Sequence, residues 1–280
     1  MSSLEKTDDF TILALEHLYD DAVENAHRLR VEAERAARLP AIWENLARYV
    51  RNDWLCHAQY LLEQEKDTIA RIAEEDPQAS TTVRQISEYA EKGVTTMMRR
   101  FPNLLETACD KVLPLDPEGR HPRYTFENNF FTLEIDEVRR HACLSDVGGK
   151  LLEFPADVGA VIEHVQHERT RLFSRPFDGR KYLALLRKGY VEYVKSQPNE
   201  TDGVSMPIRR LFQWLSNKDK TYRLDEFIVD LSRLVQQGPH AVSGKTFELQ
   251  QGRNVNQAVL LHLPDHSRYV SYLIFRKEQV

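Results

Sequence analysis

The segment YRLDEFIVDLSRLV, residues 222–235, reads as a helix from about Arg223 to Gln236, and it is the third helix in a row. Before it, PIRRLFQWL (207–215) gives a helix from about Pro207 to Ser216, and another runs from about Arg180 to Lys195. After it come strand signals at Lys245 to Gln250, Ala258 to Leu263 and Tyr269 to Lys277, the last inside RYVSYLIFRK (268–277).

Three helices followed by a β-hairpin is the element order of the winged-helix superfamily. Residues 176–280 resemble that superfamily through PIRRLFQWL, YRLDEFIVDLSRLV and the strand pair ending in RYVSYLIFRK. The resemblance implies that the third helix is the one that enters a DNA groove in members that read bases. Here that helix offers Asp225, Glu226, Asp230, Ser232, Arg233 and Gln236 on its polar side, and three carboxylates oppose a polyanion. The expectation is a winged helix that does not read sequence. Winged helices lacking a basic third helix often dock on proteins, as in the accessory subunits of bacterial condensin-like complexes. This chain is similar to those in plan, with long helices joined to a winged helix.

Upstream, Ile12, Leu15, Tyr19, Ala22, Ala26, Leu29, Ala33 and Ala36 are spaced alternately three and four apart, the spacing of a coiled-coil seam. Half of the seam is alanine, so whatever packs there must approach closely. Either a neighbouring helix of the same chain or a second chain fits this pattern, and Ile12, Leu15, Tyr19 and Leu29 are the candidate partner-binding residues. Pro40 is expected to end this helix near Leu39. Two further helices are expected, from Ala41 to about Glu75, where Asp76-Pro77 breaks the pattern, and from about Ser80 to Arg100, before Phe101-Pro102. PLDPEGRHP then marks a domain edge, after which Tyr124 to Phe126 and Phe131 to Ile135 alternate around an Asn128-Asn129 turn. Strands at His141 to Ser145 and Lys150 to Phe154 flank Gly148-Gly149, and Pro155 opens a helix. The architecture expected is mainly α, of the α+β kind: a helical bundle over 1–112, a β-hairpin segment with a helix over 113–175, and a winged-helix domain over 176–280.

Charge is distributed unevenly along the 280 residues. Residues 1–168 hold 19 Lys+Arg against 32 Asp+Glu, a net of −13, whereas residues 169–223 hold 13 against 5, a net of +8. Such asymmetry points to an anionic partner, or to pairing of the basic stretch with carboxylates elsewhere in the fold. On the first view Arg180, Lys181, Arg187 and Lys188, with Arg209, Arg210, Lys218 and Lys220, are the candidate DNA-backbone contacts. Positions 180, 187 and 188 share a helical face.

No catalytic signature stands out. Cys56, Cys109 and Cys143 form neither a disulfide framework nor a zinc knuckle. Glu163 with His167, and His164 with Glu168, are four apart and match neither HExxH nor ExxH, so they read as a polar helix face. Glu134, Asp136 and Lys150 stand near strand ends in the loose manner of a metal-dependent nuclease. There is no GxSxG elbow and no phosphate loop. The expectation is a non-enzymatic adaptor of a prokaryotic-type DNA-handling complex, cytoplasmic, without cofactor, metal or membrane attachment. Its partners would be proteins, in a homodimer or larger complex, and DNA backbone contacted non-specifically. The alternatives are a winged-helix transcriptional regulator dimerising through its N-terminal helices, with Arg253 and Arg268 in its wing, and a metal-dependent nuclease.

Overall fold

The computed structural model describes residues 4–197, 203–252, 258–263 and 267–277, and of residues 4–12, Lys111 and Ser267 the backbone alone. Mainly helical, with antiparallel sheets in its second half, the chain is α+β as expected. It divides into two compact units, Met1–Arg99 and Arg100–Val280. The segments expected as separate domains over 113–175 and 176–280 lie in one unit. The helix Phe101–Val112, expected with the N-terminal bundle, belongs to that unit too.

The first unit is four helices: α1 (Leu4–Arg51), α2 (Leu55–Gln64), α3 (Lys66–Glu75) and α4 (Pro77–Arg99). Contrary to the expected break, α1 runs through Pro40. A proline inside a helix costs about 3 kcal/mol. The residues just beyond it offset that cost: Ile42 and Leu46 are buried with Leu55, Ala58, Ile69 and Val94, at about 1.5–3 kcal/mol each. The helix ends instead at Asn52-Asp53, where Asp53 takes a φ of 55° and accepts a 2.8 Å hydrogen bond from the Tyr89 hydroxyl of α4. The single helix expected over 41–75 is therefore three pieces, and Asp76 caps α4 through the amide of Gln78 at 2.8 Å.

The second unit opens with α5 (Phe101–Val112), whose buried Phe101, Leu105 and Cys109 accompany its packing on α6 (Val158–Phe173). Between them lies an antiparallel meander of β1 (Arg123–Phe126), β2 (Phe131–Asp136), β3 (His141–Asp146) and β4 (Gly149–Pro155) in that order. Phe126 pairs with Phe131, so the turn is longer than the expected two residues. Glu127, Asn128 and Asn129 all take positive φ, and the Asp116 carboxylate accepts the amides of Asn128 and Asn129 at 3.0 and 2.7 Å.

The remainder runs α7 (Gly179–Lys195), β5 (Met206–Pro207), α8 (Ile208–Lys218), α9 (Leu224–Gln237), β6 (Ala241–Val242), β7 (Lys245–Gln250), β8 (Val259–His262), β9 (Ser267–Val270) and β10 (Tyr272–Lys277). One sheet has the order β5-β10-β7-β6, and β8 pairs with β9. The single strand expected over 269–277 is broken at Ser271, which lets Tyr269 pair with Leu260 while Tyr272 pairs with Gln250. α7 and α8 cross at Gly189, where an added Cβ would lie 2.7 Å from Trp214. α9 lies against α6, α7 and β8.

If α1 is continuous through Pro40, Pro40→Ala restores a helical hydrogen bond and raises the unfolding free energy by about 1–3 kcal/mol in denaturant titration. A helix that ended at Leu39 would show no gain.

Candidate functional site

The basic stretch is largely committed within its own unit. Arg171, in the last turn of α6, reaches Glu168 at 2.8 Å, Asp225 at 2.5 Å and Glu226 at 3.3 Å. Arg175, just beyond the helix, pairs with Asp230 at 2.6 Å and donates to the Glu226 carbonyl at 2.9 Å. Arg169 pairs with Glu127 at the β1–β2 turn. From the other side Arg223 reaches Asp225 at 3.3 Å and Asp146 at 3.5 Å. Asp225 is 1% exposed, so this is ionic packing inside the fold.

The polar side of α9 is therefore covered. Ser232 is buried, donating to the Ile228 carbonyl at 2.7 Å and accepting the His262 amide of β8 at 2.9 Å. Arg233 donates to the carbonyls of Arg175, at 3.0 Å, and Phe173. Of the six polar residues expected on that side, Gln236 is the exposed one. One sequence signal marks this: Val229, 2% exposed, stands in the middle of the polar stripe, where a solvated face has no use for it. Asp230 pairs with Arg175 and accepts the Tyr222 hydroxyl at 2.9 Å, and burial pushes its carboxyl above the ordinary range.

At the N-terminal end of α9, the side chain of Asp146 of β3 is wholly buried, accepts the Gly148 amide at 2.6 Å and lies near Asp225, with Arg223 reaching both. Burial, then Asp225, hold its carboxyl up to about 6, against the pull of Arg223. Although burial opposes it, Arg171 keeps Asp225 below the usual carboxylate range.

The eight candidate phosphate contacts do not form one cluster. Arg180 and Lys181 are exposed at the start of α7, where the Asp178 carboxylate accepts both amides at 3.1 Å. Arg187 does not share their setting, because its guanidinium lies over Tyr190 and Phe275 at 5.4 and 5.0 Å from the ring centroids. Lys188 is exposed, and with Lys181 and Lys195 it makes a stripe of three exposed lysines seven residues apart. On α8, Arg209 donates to the Ala258 carbonyl at 3.2 Å while Arg210 is exposed at the same end. At the other end Lys218 stacks 4.2 Å from Trp214 and pairs with Glu192 at 3.8 Å, and Lys220 donates to Asn217 at 2.9 Å.

The seam residues stand differently. Every residue from 13 to 34 of α1 is exposed, including Leu15 at 60%, Tyr19 at 69% and Leu29 at 60%. Within its own unit no helix buries this segment. The side chain of Ile12 lies outside the described residues, as does Arg253.

Of the nuclease candidates, Glu134 and Asp136 line one open cleft on β2 with His121, His141 and Glu153, but each is engaged by a neighbour and Lys150 does not line it. Glu134 faces Arg123 at 3.7 Å, the Asp136 carboxylate accepts the Arg139 amide at 2.9 Å, and Lys150 is turned to Glu153. His164 stacks on Phe154 at 4.2 Å and Glu168 is held by Arg171, so these two of the Glu-His residues of α6 have separate partners. Among the described residues no group of three or more His, Cys, Asp or Glu side chains converges as metal ligands would. No described helix is long and apolar enough to cross a membrane.

Comparison with protein-family models, with curated proteins and with solved structures gives no match.

Because Asp146 binds its proton more tightly folded than unfolded, its contribution is complete below pH 4 and is lost as pH rises through about 6. Asp146→Asn keeps a hydrogen-bonding side chain and removes the titration. Unfolding stability measured from pH 4 to 8 should fall less steeply for the variant than for the parent. An unchanged slope would place the proton elsewhere.

Proposed function

We propose that this chain is a non-enzymatic adaptor that assembles through α1 and contacts DNA backbone non-specifically through α7, as an accessory part of a prokaryotic-type DNA-handling complex in the cytoplasm. The observation that carries the proposal is the exposed seam of α1. A surface helix normally turns its apolar stripe to a core. Here Leu15, Tyr19 and Leu29 face solvent over a heptad-spaced run, and a patch of that kind marks an association surface.

The second unit supports the same reading. Helix, strand, helix, helix and hairpin, with β5-β10-β7 as neighbours, is the arrangement on which we base a winged-helix assignment; it rests on element order and strand neighbours. In that scheme α9 is the third helix. It is covered by Arg171 and Arg175 on one side and by β8 on another, so a protein-docking module fits it better than a reader of bases. The transcriptional-regulator alternative requires an accessible third helix, and the nuclease alternative requires carboxylates arranged as metal ligands, which no group among the described residues forms.

What remains for phosphate is the stripe of Lys181, Lys188 and Lys195, unlike the internally committed Arg171 and Arg175. Three phosphate contacts give a slope of log K against log salt of about −2.7 on random duplex DNA. We expect that slope for the parent chain. Lys181→Glu with Lys188→Glu should abolish the binding, and Arg187→Glu should weaken it less, with unfolding profiles checked alongside. Binding that ignores the lysine variants, or no binding at low salt, would overturn the DNA part of the proposal.

A further inference from the structure

We infer that the occupant of the α1 seam is a second copy of this chain, running antiparallel. The inference rests on the assembly reading given above and names its partner. Three features of α1 point the same way.

The first is charge. Residues 13–27 carry Glu16, Asp20, Asp21 and Glu24 with no Lys or Arg, whereas residues 28–38 carry four arginines against Glu32 and Glu34. A parallel pair would set four carboxylates beside their own copies. An antiparallel pair lays the acidic half of each helix on the basic half of the other, which complementarity favours.

The second is volume. Large seam residues predominate early, at Ile12, Leu15 and Tyr19 before Ala22, and small ones late, at Ala26, Ala33 and Ala36 around Leu29. In antiparallel packing each a position meets a d position of the partner. With the twofold axis at Glu24, Leu15 meets Ala33, Tyr19 meets Leu29 and Ala22 meets Ala26, so in the outer layers a large residue fills the space an alanine leaves, while the central layers of Ala22 with Ala26 let the two helices approach closely. Parallel packing would stack all four alanines, Ala22, Ala26, Ala33 and Ala36, on their own copies, including the outer layers that the antiparallel register fills.

The third is the flank. The same register sets Glu16 against Arg30 of the other copy, twice by symmetry, and brings Val23 and Asn25 each to its own copy on the axis. Arg30 and Glu34 pair along α1 at 3.1 Å, with Arg30 80% exposed, so its guanidinium is at the surface that the second copy would occupy. The parallel register offers no equivalent ion pair: its flanking partners are Thr11 with Glu16, Leu18 with Val23, Asn25 with Arg30, and Glu32 with Ala37. Antiparallel self-pairing thus satisfies charge, volume and flank at one register.

The test uses the full chain. Light scattering after size exclusion, over a range of concentrations, should give twice the chain mass, and Tyr19→Lys should give a monomer with unaltered thermal unfolding of the rest. Glu16→Arg and Arg30→Glu should each raise the dimer dissociation constant about tenfold, and the two together should return it toward the parent value. A monomer at every concentration overturns self-pairing, and with the salt series on DNA intact it leaves the adaptor reading standing with another protein on the seam. Loss of DNA binding by an intact dimer does the reverse. Orientation is read from Leu15→Cys: a disulfide between copies at this position would show parallel packing and overturn the antiparallel register.

Discussion

The second unit depends on two arginines held against four carboxylates. Arg171 and Arg175 stand at the end of α6 and just past it, and they fasten α9 through Glu168, Asp225, Glu226 and Asp230. Taking either arginine out of water is costly, and the pairs offset that cost through multiple partners: Arg171 meets three carboxylates, and Arg175 meets two and a carbonyl, although its Nε is buried without a partner. What such a network contributes above all is specificity. It joins α9 to the end of α6, while Asp146 of β3 meets Arg223 beside the start of α9 and Ser232 accepts the His262 amide of β8.

That network also explains the charge pattern of the sequence. The basic stretch over 169–223 follows a strongly acidic region and invites the reading of an anion-binding surface. Part of it serves that reading, in the exposed lysines of α7. The arginines before α7, with Arg223, instead neutralise carboxylates from within their own unit. Arginine suits this task, since its planar fork can address several acceptors at once.

Much of the fold was legible in local pattern. The alternation of Tyr124 to Ile135, the Gly148-Gly149 turn, the limits of α7, and β7 from Lys245 to Gln250 all follow from periodicity and turn chemistry, which act over a few residues. What escaped local reading was set by distant packing. Pro40 should end a helix by its own chemistry, yet Ile42 and Leu46 have a core to fill beyond it. The polar stripe of α9 has the composition of a solvated face, and only Val229 within it hints that α6 and β8 cover it. Among site residues, the exposure of Leu15, Tyr19 and Leu29 accords with a heptad lacking a partner nearby in sequence. That Arg187 lies over Tyr190 and Phe275 while Lys188 is exposed is a difference that helical spacing alone does not reveal.

The account turns on the claim that positive charge in the basic stretch is used to hold α9 in place. A double-mutant cycle on Arg171 and Asp225, with each changed to Ala singly and together and unfolding followed in denaturant, tests it most directly. The account predicts single losses on the order of 3 kcal/mol and a coupling energy of about 2 kcal/mol or more. Additive single losses, with a coupling energy near zero, would contradict it.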